Sequence, residues 1–92
     1  MKIMSTFTIR AGCVPEAAKR FLSGKVTPPA GVRILGRWHK TDCSGGYTLF
    51  ETDNPALLYE FAAAWTDLLE NHSNVVIEDA EAGAALAKIY GQ

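Results

Sequence analysis

The sequence predicts an α+β sandwich, with two helices packed on one antiparallel sheet. Three observations carry this. Residues 2–10 alternate in side-chain character as a strand does, two further strand segments are joined by a short polar loop, and helical segments flank that hairpin on both sides.

In the first strand, Lys2 to Arg10, the residues Ile3, Ser5, Phe7 and Ile9 fall on one face and Met4, Thr6 and Thr8 on the other. Gly12 ends it. Pro15 suits the first turn of a helix, where its missing N–H is not needed, and Ala18, Phe21 and Leu22 give that helix an inward stripe. Val14 is a poor cap, whereas Gly24 is placed to end the helix in a left-handed conformation. Thr27-Pro28-Pro29-Ala30-Gly31 is a loop, because two adjacent prolines fit neither a helix interior nor a central strand.

A second strand runs from Val32 to about Lys40 and a third from Tyr47 to Thr52. Between them, Thr41-Asp42-Cys43-Ser44-Gly45-Gly46 is turn chemistry, with a locally bonding aspartate and two glycines for positive φ, so the strands form a hairpin. Asn54 before Pro55 is the clearest boundary in the chain, a cap residue followed by a first-turn proline. Leu58, Phe61, Ala62, Trp65, Leu68 and Leu69 then recur at helical spacing, which predicts a helix lasting to about Asn71. Val75-Val76-Ile77 reads as the fourth strand. Asp79 reads as the cap of a last helix that carries Lys88 in its final turn and Gly91 beyond it.

Strand–helix–strand, hairpin, helix–strand is the split βαβ order of a ferredoxin-like fold, here with a closing C-terminal helix. Right-handed crossovers place both main helices on one face of the four-stranded sheet. The other face needs cover, since the strands carry apolar residues on both sides: Met4 and Phe7, Leu49 and Phe50, Val76 and Ile77. An uncovered apolar sheet face is an association site. The alanine-rich last helix is one candidate cover and a second copy of the chain is another, so a homodimer is expected.

At 92 residues, the chain is expected to form one domain, residues 1–92, and 48% hydrophobic with 21% charged residues is globular composition. A formal net charge of −1, with nine Lys and Arg residues scattered along the chain, argues against a nucleic-acid partner. No apolar run reaches the roughly 20 residues that span a bilayer, and the first residues alternate rather than forming a leader. No membrane partner and a cytoplasmic location are the expectations. Cys13 and Cys43, thirty positions apart, form no Cys-x-x-Cys pair and are expected to be free thiols. His39, His72, Glu51 and Glu78 show no recognisable ligand spacing, so no metal is expected. No phosphate-cradling glycine loop or nucleophile elbow is present, and no cofactor is expected.

Chemistry, if any, rests on a few side chains. Arg37 and His39 are two apart on one strand and leave the sheet on the same face, where an arginine can orient an anion and a histidine can move a proton. Glu51, on the neighbouring strand, is a third catalytic candidate, on a face that the sequence alone does not fix. Structural networks produce such charged pairs more often than sites do. Trp65 is a candidate ligand platform, although an aromatic on an apolar stripe is more often core. Trp38, opposite Arg37 and His39, and Tyr47 are read as packing residues. His72 is read as a favourable charge near the end of the second helix.

Gly36-Arg37-Trp38-His39, the glycine turn, Glu51 and Trp65-Thr66-Asp67-Leu68-Leu69 together resemble the uncharacterised DUF3303 family, itself similar in fold to the dimeric α/β-barrel superfamily. The resemblance covers nearly the whole chain. It implies two ferredoxin-like subunits packed through their sheet faces, with a pocket between each sheet and its helices or partner. That wider superfamily includes cofactor-independent monooxygenases, muconolactone isomerase-like enzymes, haem-dependent enzymes and members without known activity, and fold alone transfers none of these. Two functions therefore compete. One is a site for a small organic anion or aromatic metabolite, lined by Arg37, His39 and Trp65 and joined by Glu51. The other is a structural or regulatory homodimer without turnover.

Overall fold

The structure is a computed structural model describing residues 1–91. Along the chain run β1 (Lys2–Ile9), α1 (Val14–Ser23), β2 (Val32–His39), β3 (Gly45–Thr52), α2 (Pro55–Ala63), β4 (Leu69–Val76) and α3 (Asp79–Tyr90). The strands form one antiparallel sheet in the order β2-β3-β1-β4. This is the ferredoxin-like fold, with α3 appended.

Local chemistry accounts for most boundaries. Pro15 sits in the first turn of α1, and Gly24 closes that helix at φ 66°, the left-handed region where a Cβ is strained. Asn54 Oδ1 accepts a hydrogen bond from the Ala56 N–H at 3.1 Å and so caps α2. In α3 the capping position belongs to Glu78 rather than Asp79, with Glu81 reaching back to form a capping box.

The second helix departs most from the sequence expectation. It ends at Ala63 instead of continuing to about Asn71, and β4 starts at Leu69, well before Val75. The cause is tertiary. Leu69 pairs with Ile9 and His72 with Thr6, so the segment completes the edge of the sheet beside β1. Side chains also take over the carbonyls at the helix end. Arg20 donates to the Ala64 carbonyl at 2.9 Å, Arg10 to that of Thr66 at 3.0 Å, and the Thr66 hydroxyl to that of Ala63 at 3.0 Å. Arg20 additionally holds the Asp67 carboxylate through two bonds, of 2.7 and 2.8 Å, which fastens α1 to the turn before β4. His72 is therefore an exposed strand residue, not a helix-end charge.

The core is a cluster of Ile3, Val32, Phe50, Leu58 and Phe61, in which Phe50 and Phe61 meet edge-to-face at 6.0 Å. It fills one end of the space between the helices and the sheet. On the outer sheet face Met4, Leu35, Trp38 and Tyr47 are exposed, and toward β4 that face turns polar with Thr6, Glu70 and His72. Trp38 is 56% exposed and lies over Gly36, so it is not the packing residue expected from the sequence. Tyr47 likewise stands exposed on the outer face, with the Lys40 ammonium 5.5 Å from its ring.

α3 buries none of its residues, and Leu86, Ile89 and Tyr90 are exposed along it. The Cα radius of gyration of 15.8 Å exceeds the roughly 12 Å of a compact chain of this length. The expected cover of the sheet by α3 is thus not made within this chain. No helix among the described residues is long and apolar enough to cross a membrane.

Candidate functional site

β2 is an edge strand, and its alternation is broken once. Val32 pairs with Thr52 and Ile34 with Phe50, but the next partner of β3, Leu49, faces Gly36. Leu35 is the extra residue of a β-bulge. A strict period of two would put Arg37 on the face opposite Ile34. The bulge instead sets Arg37 opposite Thr48 and His39 opposite Gly46, on the helix-covered face with Ile34.

Three rungs then cross that face. Ile34, Phe50, Ile3 and Val75 form an apolar one, Arg37, Thr48, Ser5 and Ser73 a polar one, and His39, Gly46, Phe7 and Asn71 the next. Above them lie Ala17, Ala18 and Phe21 of α1, Phe61 and Ala62 of α2, and Trp65 just beyond α2. Packing between a sheet and its helices depends on side chains that fill the gap. Here small residues oppose small residues, alanines above and hydroxyl residues below, and a cavity of about 550 Å³ remains open between the layers. That volume suits a small organic ligand.

Glycines shape the mouth by allowing close backbone approach. A Cβ on Gly45 would stand 1.9 Å from the Phe7 carbonyl oxygen, and one on Gly46 would stand 2.1 Å from that of Trp38. The pair therefore starts β3 rather than making the turn. In the loop itself Cys43 takes the positive φ, 64°, and the Asp42 carboxylate accepts from the Ser44 N–H and hydroxyl at 3.0 and 2.6 Å.

The electrostatics of the cavity are one-sided. The side chains of Arg37 and His39 line it, Lys40 turns its ammonium to Tyr47 on the outer face, and no aspartate or glutamate lines the cavity. Among the described residues no carboxylate lies within ion-pairing distance of Arg37. Burial pushes its guanidinium below the ordinary arginine value. The Phe21 ring centre is 5.5 Å from the guanidinium carbon and 5.5 Å from the His39 ring. Phe21 is 48% exposed and stands over the Arg37–His39 pair.

Of the candidates read from the sequence, Arg37, His39 and Trp65 come together on the cavity wall, and Glu51 does not. Glu51 alternates with Phe50 to the outer face, opposite Lys2 and Arg33, and pairs with Arg33. Trp65 is part-buried rather than central to the core, with the Arg20 guanidinium 5.3 Å from its ring centre. Ser5, Thr48, Ser73 and Phe21 were missed. The polar Ser5 within the apolar set Ile3, Phe7 and Ile9 was the one available signal, because a hydroxyl on the core side of a strand must find a partner.

Fold and cavity together define a ferredoxin-like protein with an electropositive, largely apolar chamber between sheet and helices. The chain belongs to the family described as a domain of unknown function, DUF3303, whose model matches residues 1–90. No curated protein and no solved structure gives a significant match.

Proposed function

We propose that the protein binds a small organic anion with an apolar, preferably aromatic, body in the chamber between sheet and helices. Arg37 carries this reading. A part-buried guanidinium without a carboxylate partner, in a cavity lined by no acid, is completed by an anion from outside. Its planar donors suit a carboxylate. His39, one rung on, is placed to hydrogen-bond the same group, and Phe21, Phe61 and Trp65 supply apolar walls. The test is a thermal-shift screen of small aromatic and aliphatic carboxylates on wild type and Arg37→Gln. Stabilisation of wild type and not of the variant is expected. Equal shifts in both proteins would contradict the reading.

The same chain is proposed to work as a homodimer, in the manner of dimeric α/β barrels. Two observations favour this: the exposed outer-face residues Met4, Leu35, Trp38 and Tyr47, and an α3 that buries nothing within its own chain. A dimer without turnover is the competing function. An open, electropositive chamber favours ligand binding over it.

A further inference from the structure

We infer that the chamber selects an elongated monocarboxylate bearing a neutral hydroxyl or carbonyl at the end away from its charge. This rests on the anion reading of Arg37 and adds a second point of recognition. The polar rung runs straight across the sheet, from Arg37 through Thr48 and Ser5 to Ser73. Neighbouring strands lie about 4.8 Å apart, so Ser5 stands roughly 10 Å and Ser73 roughly 14 Å from the backbone of Arg37. Every member of the rung lines the cavity.

At the far end the Ser73 hydroxyl donates to Ser5 Oγ at 2.9 Å. A serine hydroxyl has one donor and two acceptor positions, so this pair retains a proton and lone pairs for a third group. Ser5 is buried within the floor while Ser73 is exposed on the edge strand, which gives the pair one anchored and one accessible member. The lining near them is Phe7, Ile9, Leu69 and Asn71, with neither an acid nor a base. A second charge on the ligand would be desolvated there without a partner, whereas a hydroxyl would be matched. Between the two ends, Ala17, Phe61 and Trp65 face the ligand body with apolar surface. The arrangement specifies one anionic end, a flat apolar middle and one neutral polar end.

Calorimetric titration of the full chain with trans-cinnamate, 4-hydroxycinnamate and 4-carboxycinnamate tests this directly. In the second probe the phenol lies about two strand spacings from the carboxylate. Wild type should bind 4-hydroxycinnamate about five- to tenfold more tightly than cinnamate, the effect of one added hydrogen bond. The dianionic probe should bind more weakly than the hydroxylated one. Ser73→Ala, an exposed edge-strand change, should bring the ratio of the two affinities close to one. Arg37→Gln should lose all three probes. If cinnamate binds through Arg37 but the hydroxyl adds nothing in wild type, or its gain survives Ser73→Ala, the second recognition point is wrong and the anion reading stands. If no probe binds wild type, both fall. The wild-type ratio decides the matter even should the serine variant not fold.

Discussion

Ile34 and Arg37, three positions apart on β2, project into the same chamber, because the bulge at Leu35 inserts one residue between the pairs Ile34–Phe50 and Gly36–Leu49. The bulge absorbs Leu35 as an extra residue and so keeps Arg37 on the face of Ile34. Bulges commonly re-aim a side chain at a sheet edge in this way.

Deleting Leu35 should regularise β2 without moving Arg37. Gly36 then follows Ile34 directly and still faces Leu49, and Arg37 still faces Thr48. Carboxylate affinity is expected to stay within about threefold of wild type, a difference below 1 kcal/mol. A folded deletion variant that has lost Arg37-dependent binding would show that the bulge is needed for more than register.

The Arg20–Asp67 clamp makes stability depend on acid pH. Hydrogen bonds from Arg20 hold the Asp67 carboxyl below the usual carboxylate range. A depressed folded-state value means stabilisation that is complete above the unfolded aspartate value of about 3.9 and is lost as pH falls through the lower folded value. Asp67→Asn should therefore lower Tm at pH 7, and the gap to wild type should narrow below pH 4. Asp67 is exposed and Arg20 only part-buried, so the gap is modest and shrinks in high salt. A gap that persists unchanged in acid would assign the effect to packing of the turn rather than to the charge.

Much of this fold was legible in the sequence because its elements announce themselves locally. Gly24 ends α1, Asn54-Pro55 starts α2, and the alternation of Ile3, Ser5, Phe7 and Ile9 grouped the residues that share one face of β1, which the structure turns toward the helices. The end of α2 was not legible. Leu68 and Leu69 continue the helical spacing of Phe61 and Trp65, and only pairing with β1, remote in sequence, makes residues 69–72 a strand. The site was half legible for a similar reason. Arg37 and His39 were identifiable as a same-face pair, but the bulge that chooses their face is a property of pairing with β3, which the same pairing denies to Glu51. The cavity itself arises from small residues meeting across two layers, a coincidence that no single segment displays.

Two aromatic truncations should separate core from chamber. Phe61 is 8% exposed and packs on Phe50, so Phe61→Ala is expected to cost about 3–5 kcal/mol. Trp65 borders open space on one side, and Trp65→Ala should cost only about 1–2 kcal/mol in denaturant titrations while weakening carboxylate binding. Equal and large losses would return Trp65 to the core and remove it from the site.

Association should run through the outer sheet face and α3. Sedimentation at micromolar concentration is expected to give a dimer for wild type. Trp38→Glu, which places a charge in the exposed patch, should give a folded monomer, as should a chain ending at Glu78. A wild-type monomer would remove the dimer from the account and leave the chamber intact.

The most direct test of the central claim is an NMR titration that follows the Arg37 Nε–H resonance while trans-cinnamate is added. A carboxylate seated on the guanidinium should shift that resonance, saturably, and slow its exchange with water, with the Phe21 and Trp65 rings perturbed at the same ligand concentration. Saturable binding that leaves the Arg37 Nε–H unmoved, or shifts confined to the outer face around Trp38 and Tyr47, would contradict the account.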